Sequence, residues 1–217
     1  SHETKYDLIN YYRIPERKIE VIYQRVDPAF YTGVSDKLPV SQAKYILNVG
    51  SFYPRKNQQK LVEAYALIAN KVQEELWLVG GEGSTQNKVQ RLIREKGLEG
   101  RVKILTGIEN HELPALYQQA SAFVFPSLFE GFGIPVLEAQ FSGTPVIATE
   151  GGAIEEAAGP HSLFINPYSA EDIAEKILKV LNDSELRKTM IEAGYRYAKT
   201  MTDDIAAAKI MGVYQSL

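Results

Sequence analysis

Six short apolar runs recur through the middle of the chain, and the segments between them have the spacing of amphipathic helices. Short apolar runs of this kind, several of them closed by Gly, are typical of buried parallel strands. Their alternation with helices predicts a doubly wound, Rossmann-like α/β fold with a parallel sheet of about six strands. The predicted strands are residues 45–50, 76–80, 102–107, 122–126, 145–149 and 162–165.

The segments between and after these strands predict eight helices. Asn57 precedes the first of them and Pro135 lies in the first turn of another, positions that both residue types favour. Ligands of doubly wound sheets bind beyond the carboxyl ends of the strands, where the motifs below fall. The predicted helices are residues 57–72, 86–97, 111–120, 134–142, 153–158, 170–181, 184–199 and 203–216.

The first forty residues follow a different pattern: a helix at 4–12, a turn around Pro15 and a strand at 19–23. We therefore divide the chain into a lead-in from a preceding domain (residues 1–40), a Rossmann-like domain (41–183) and C-terminal helices (184–217). The chain begins with Ser1 and His2 in place of Met, which is typical of residues left by a processed tag before an internal segment.

Composition narrows the classes of function. The 217 residues carry a formal net charge of -3, and non-specific nucleic-acid binding needs surplus Lys and Arg. With no cysteine there is neither a disulfide nor a thiolate metal site, and we expect a cytoplasmic location. No apolar run approaches the ~18 residues that a membrane span needs.

Residues 126–138 run from a predicted strand end into a predicted helix. Gly131 and Gly133 free the backbone for close approach to a ligand, and the helix presents unpaired N–H groups and a positive dipole end, which suit a diphosphate. Glu138 is a lone carboxylate in an apolar helical run and needs donors, which a ribose diol can supply. Glu130 is placed to accept hydrogen bonds from sugar hydroxyls. The alternative is that the glycines form a turn, Glu130 is solvated and Glu138 caps backbone.

Residues 50–57 close the first strand and begin the next helix. Arg55 can grip a phosphate with its planar guanidinium and Lys56 can add a point charge, so the two can neutralise a leaving diphosphate. The alternative is a solvated helix start. Cations at a helix N-terminus oppose its dipole, however, which favours the functional interpretation.

Several other ligand and catalytic motifs are absent. The loop at 50–57 lacks the Gly before Lys56 and the Ser or Thr after it that a P-loop needs, and Gly81-Glu82-Gly83 does not continue into a dinucleotide fingerprint. No G-x-S-x-G elbow occurs. His111 and His161 have no metal-ligand partner at helical spacing, so no metal site is predicted.

Taken in order, these motifs resemble the C-terminal, donor-binding domain of the retaining GT-B glycosyltransferases, family 4 or glycosyl transferases group 1. The Glu130 and Glu138 pair carries the resemblance, together with Gly50, Arg55-Lys56 and the segments at 80–83, 106–107, 125–127 and 143–147. Residues 19–27 resemble the interdomain segment of the family, although Gln24-Arg25 replaces its usual Asn-Gly.

The resemblance implies a role for each matching residue. Arg55 and Lys56 would bind the donor diphosphate, Glu138 the ribose and Glu130 the donor sugar, which makes Glu130, Arg55 and Lys56 the catalytic group. The remaining contacts to the nucleotide-sugar would come from backbone near the phosphates and the base, at Gly50, Thr106, Gly107, Ile108, Gly131, Phe132, Gly133 and Ile134.

The same resemblance implies a substrate and partners. The donor would be GDP-mannose or a UDP-hexose, with no further cofactor and no metal. A sugar or lipid-linked acceptor would be held by the missing N-terminal domain, and contact with the inner face of the membrane would also come through that domain. This chain alone would transfer no sugar. A non-catalytic nucleotide-sugar-binding module and a GT-B epimerase remain as alternatives.

Overall fold

The computed structural model describes residues 1–30 and 44–215. Its centre is one sheet of six parallel strands in the order β3-β2-β1-β4-β5-β6. This is the doubly wound arrangement, so the predicted fold class is confirmed. The strands are β1 (Tyr45–Val49), β2 (Glu75–Val79), β3 (Val102–Leu105), β4 (Ala122–Phe125), β5 (Val146–Thr149) and β6 (Leu163–Ile165).

Helices cover both faces of this sheet. Neighbouring residues of β1 point to opposite faces, so Ile46 belongs to one apolar cluster while Tyr45 and Leu47 belong to the other. The helices are α1 (His2–Asn10), α2 (Gln58–Ala66), α3 (Gln86–Glu95), α4 (Leu113–Gln118), α5 (Ile134–Phe141), α6 (Gly152–Ala158), α7 (Ala170–Asn182), α8 (Ser184–Ala198) and α9 (Asp203–Gln215).

The topology fixes where a ligand can bind. The strand order reverses between β1 and β4, which pair with each other in the middle of the sheet, with Ile46 opposite Ala122. At such a reversal the loops leaving the two strands run in opposite directions and open a crevice at the carboxyl edge. The loops that carry Arg55-Lys56 and Glu130 leave these two strands.

Two sequence predictions differ from the structure. The strand predicted at 19–23 is wrong: this segment is extended without a β partner, and it packs through side chains such as Tyr23 on the loop before α5. Helix α2 ends at Ala66, earlier than predicted, because the chain tightens there into turns with i to i+3 hydrogen bonds, such as that from the N–H of Ile68 to Tyr65. The domain boundary at residues 40 and 41 lies outside the described residues.

Candidate functional site

Two asparagines hold the strand-end loops together at the crevice. The side chain of Asn48, in β1, donates to the carbonyl of Val124 in β4 at 2.9 Å. Asn57 has a left-handed backbone, and its side chain donates to the carbonyls of Pro126 at 3.1 Å and Pro167 at 2.8 Å. Asn57 precedes α2 as predicted, but its side chain caps nothing there and instead ties together the loops that follow β1, β4 and β6.

These ties bring Arg55, Lys56 and Glu130 into contact. Arg55 Nη1 lies 2.5 Å from Glu130 Oε2, and Lys56 Nζ lies 2.6 Å from Glu130 Oε1. The backbones of the two loops also meet, since the N–H of Leu128 donates to the carbonyl of Arg55 at 2.7 Å. The two cations predicted for a diphosphate and the carboxylate predicted for a sugar therefore form one cluster.

Lys56 is held tightly within this cluster. Its side chain is 10% exposed, and its ammonium lies 4.9 Å from the centre of the Phe125 ring. Burial lowers the pKa of Lys56, while the attraction of Glu130 opposes that shift. Gly50 lies against the lysine stem, and a Cβ at Gly50 would stand 3.2 Å from Lys56 Cδ. Gly50 thus leaves room for the lysine to cross the end of β1.

The loop at residues 130–134, here called the glycine loop, leads from this cluster into α5. Gly133 has φ +137°, and a Cβ there would lie 3.1 Å from Ala157 Cβ, so the turn requires glycine. Helix α5 begins at Ile134 with Pro135 in its first turn, as predicted. The glycine loop and the start of α5 line a pocket of about 490 Å³, whose other wall is formed by Ser1, Thr4, Ile22 and Gln24.

Glu138 lies one turn further along α5 and has a different partner. The Tyr117 hydroxyl donates to Glu138 Oε2 at 2.8 Å. Burial raises the pKa of Glu138 above its ordinary value, and the negative field of Asp27 adds to this, although the hydrogen bond from Tyr117 acts in the opposite direction. The carboxylate therefore lies in a poorly solvated place with one donor, and its second oxygen faces no partner within the described residues.

Thr106, Gly107 and Ile108 follow β3 at the same carboxyl edge. Thr106 and Gly107 are exposed, and Ile108 packs on the apolar cluster that contains Tyr117. Because β3 is two strands from β1, this loop lies about 10 Å to the side of the crevice. It therefore borders the site without joining the charged cluster, which suits the part of a ligand furthest from the phosphates.

The lead-in contacts the glycine loop in a way that the sequence did not reveal. The ring of Tyr23 stacks on Phe132 with centroids 5.1 Å apart, and the hydroxyls of Ser1 and Thr4 donate to the carbonyl of Gly131 at 3.1 and 3.3 Å. Ser1 also caps α1. These residues and Tyr117 are polar or aromatic side chains without a motif, so no local pattern distinguished them from surface or core positions.

Glu156, on α6, anchors this lead-in. Its carboxylate accepts from the backbone N–H groups of His2 at 2.7 Å and Glu3 at 2.8 Å, and from the Tyr23 hydroxyl at 3.1 Å. Burial acts to raise its pKa, but these hydrogen bonds outweigh burial and lower the pKa overall. Burial and the same contact raise the pKa of Tyr23 to about 12.

A larger pocket of about 610 Å³ lies beside this anchor, between α1 and α6. Its lining includes the carboxylates of Glu3, Glu155 and Glu156 with the rings of Tyr6 and Tyr197. Carboxylates repel a diphosphate, so this pocket does not suit the predicted donor. The smaller pocket beside Glu130 is the better candidate.

The comparison with known proteins now decides the family. Residues 35–197 match the model of "Glycosyl transferases group 1". The chain belongs to this family. It is 30% identical over 192 residues to the O-antigen chain mannosyltransferase B of Escherichia coli, a match that covers 88% of this chain and 50% of the relative. This group 1 chain therefore spans about half the length of the curated relatives it matches.

Solved structures confirm the fold of this group 1 chain. A glycosyltransferase of Rickettsia africae superposes with a TM-score of 0.88 and 22% identity, covering 100% of this chain and 62% of that one. Anabaena Alr3699/HepE, solved in complex with UDP, superposes with a TM-score of 0.88 and 24% identity over the same shares of the two chains. The chain thus has the fold of the C-terminal domain of GT-B enzymes, as the sequence predicted.

The described part of the chain shows neither a membrane span nor a group of metal-ligating side chains. In residues 1–30 and 44–215, no helix is both long and apolar enough to cross a bilayer. Within that same part of the chain, no three His, Asp or Glu side chains are grouped so as to hold a metal ion.

Proposed function

We propose that this chain is the donor-binding part of a glycosyltransferase that transfers a hexose from a nucleotide-sugar to an acceptor with retention, in polysaccharide or glycolipid synthesis. The observation that carries the proposal is the meeting of Arg55, Lys56 and Glu130 beside the N-terminus of α5, at the reversal of strand order. The mannosyltransferase relative and the UDP complex of Alr3699/HepE support a nucleotide-sugar donor.

The diphosphate would bind between Arg55-Lys56 and the start of α5. Two cations and the N–H groups at the start of α5 would supply the positive charge that other transferases obtain from a metal ion. Lys56 is already desolvated by the Phe125 ring, so its attraction for a phosphate is screened little by water. Donor binding is therefore expected to need no divalent cation.

Glu138 and Glu130 would divide the rest of the donor between them. Glu138 has a free oxygen beside its bond to Tyr117, which suits a ribose hydroxyl. Glu130 borders the pocket of about 490 Å³, whose wall carries the hydroxyl of Thr4 and the amide of Gln24, uncharged groups that suit hexose hydroxyls. The loop at 106–108 would border the base. The donor would be GDP-mannose or a UDP-hexose.

The acceptor would be held elsewhere. Transfer requires an acceptor in near-attack geometry and the exclusion of water. The mannosyltransferase relative is about twice as long as the matched segment, and its other half could provide both. We propose a sugar or lipid-linked acceptor bound by that further part of the protein, at the cytoplasmic face of a membrane. On this proposal the present chain binds the donor and transfers no sugar alone.

Calorimetry tests the donor site directly. The titrants are UDP, GDP, UDP-glucose and GDP-mannose, each with and without EDTA. In a separate unfolding experiment, a ligand at a hundred times its Kd should raise the free energy of unfolding by about 2.7 kcal/mol. Lys56→Gln should abolish binding. Lys60→Gln, which removes a lysine of α2 that pairs with Glu63, is the matched control.

The outcomes separate the parts of the proposal. Binding that requires added Mg²⁺ or Mn²⁺ would contradict charge neutralisation by Arg55 and Lys56. Equal affinity in the two lysine variants would contradict the location of the site. Release or transfer of sugar by the 217-residue chain alone would contradict the proposal that the acceptor is held by another part of the protein. Retention is tested by NMR, from the anomeric proton of a product made by the longer protein.

A further inference from the structure

Glu130 forms ion pairs with both cations of the proposed diphosphate site. Its two oxygens are divided between them, with Oε2 at 2.5 Å from Arg55 and Oε1 at 2.6 Å from Lys56. The Glu130 side chain is 11% exposed, so water screens these attractions weakly. A diphosphate that approaches the same cations must compete with a carboxylate of the protein itself.

The consequence for Glu130 follows from its burial. If phosphate oxygens pair with Arg55 and Lys56, the poorly solvated carboxylate of Glu130 loses much of its stabilisation. A buried carboxylate without partners binds strongly to any hydrogen-bond donor that replaces them. Lys56 cannot serve both anions freely, because the Phe125 ring and the stem contact at Gly50 hold its ammonium in place. Glu130 then needs new hydrogen-bond donors from the ligand.

We propose that Glu130 is an internal counterion by which the site prefers an intact nucleotide-sugar to the bare nucleoside diphosphate. This inference rests on the proposed donor function. The hexose of an intact donor offers hydroxyls to the carboxylate that the diphosphate has displaced, whereas a nucleoside diphosphate offers none. The cost of displacing Glu130 is therefore offset for the donor and remains for the product of transfer.

The pocket beside Glu130 fits this assignment. Its opposite wall presents the hydroxyl of Thr4 and the amide of Gln24, and no lysine or arginine is among the residues that line the pocket, so none is available there to re-pair the displaced carboxylate. A sugar in the pocket would face Glu130 on one side and these hydroxyl and amide groups on the other. The device thus favours loss of the nucleoside diphosphate once the hexose has left.

Glu130→Gln tests the proposal, because glutamine keeps the shape and the hydrogen-bonding oxygen but removes the charge. The affinity for UDP or GDP should rise by about tenfold, or ~1.4 kcal/mol, since both cations are released. The affinity for the matching nucleotide-sugar should rise less or fall, so that the preference for the intact donor is lost. Glu185→Gln, an exposed glutamate of α8, is the control for net charge and should change neither value.

Each result decides the question. An unchanged or weaker affinity of Glu130→Gln for the nucleoside diphosphate, or equal gains for both ligands, would overturn the counterion. If the wild type binds no nucleoside diphosphate and no nucleotide-sugar, the proposed function fails and this inference falls with it. Should the variant not fold, the wild type still answers: it must bind the nucleotide-sugar more tightly than the nucleoside diphosphate, and the reverse order overturns the proposal.

Discussion

The Tyr117 hydroxyl donates a hydrogen bond of 2.8 Å to Glu138, joining α4 to α5 beneath the proposed ribose site. Both groups are poorly solvated, and burial raises the pKa of each above its ordinary value. A carboxylate in this setting is costly to ionise, yet a ribose hydroxyl binds best to its ionised form. Ionisation of Glu138 and binding of the ligand should therefore be linked.

The first prediction is that nucleoside diphosphate binding releases protons in the pH range just above 4.5, the ordinary pKa of a glutamate. Ligand hydroxyls favour the ionised carboxylate, so affinity should increase with pH until Glu138 is ionised in the free protein, by up to about tenfold per pH unit. Calorimetry in two buffers of different ionisation enthalpy measures the number of protons released on binding. Their persistence in Glu138→Gln would contradict the assignment to this residue.

The second prediction concerns the balance between stability and binding at Glu138. Its raised pKa means that the protonated form favours folding, and this contribution is lost as pH rises from 4.5 through the pKa of the folded protein. Glu138→Gln should therefore raise the melting temperature at neutral pH. The same change should weaken nucleoside diphosphate binding by roughly 1.5–3 kcal/mol, the contribution of charge-assisted hydrogen bonds. A variant that loses both stability and affinity would indicate a structural role alone.

The third prediction compares two glycines of the glycine loop. Gly133→Ala should destabilise the fold by about 1–3 kcal/mol, because its φ of +137° disfavours a side chain and Ala157 Cβ would be only 3.1 Å away. Gly131→Ala is the matched control, since a Cβ at Gly131 meets nothing within 4 Å. Urea denaturation of both variants measures the difference. Equal stabilities would show that the loop relaxes at little cost.

The fourth prediction concerns the anchor of the lead-in. Hydrogen bonds lower the pKa of Glu156, so its contribution to stability is present above pH 4.5 and is lost as pH falls through the lower pKa of the folded protein. Glu156→Gln should cost about 0.3–1 kcal/mol at neutral pH, the usual value of a carboxylate at a helix N-terminus. The difference from wild type should shrink below pH 4.5. A difference that is the same at every pH, or that equals that of Glu192→Gln, an exposed glutamate in the middle of α8, would contradict this role.

The strands and the glycine loop could be predicted from local sequence because their causes are local. Buried parallel strands need consecutive apolar residues, and a turn with φ +137° needs Gly133, so neighbouring residues carry the information. Residues 19–23 show the limit of this reasoning. Their composition suits a strand, but a strand also needs a free sheet edge beside it, and this segment meets the glycine loop instead.

Local pattern also made Arg55, Lys56, Glu130 and Glu138 candidates for the site, but it did not indicate how they pair. Glu130 reaches both cations because β1 and β4 are neighbours in the sheet, a relation between residues 75 positions apart that no local pattern contains. The role of Tyr117 could not be predicted for the same reason. In the sequence it resembles any core aromatic residue, and only the packing of α5 beside α4 brings its hydroxyl to Glu138. The sequence determines the charge and the hydrogen-bonding groups of each residue. The tertiary structure decides which partner lies beside it, because that depends on the packing of elements that are distant in the sequence.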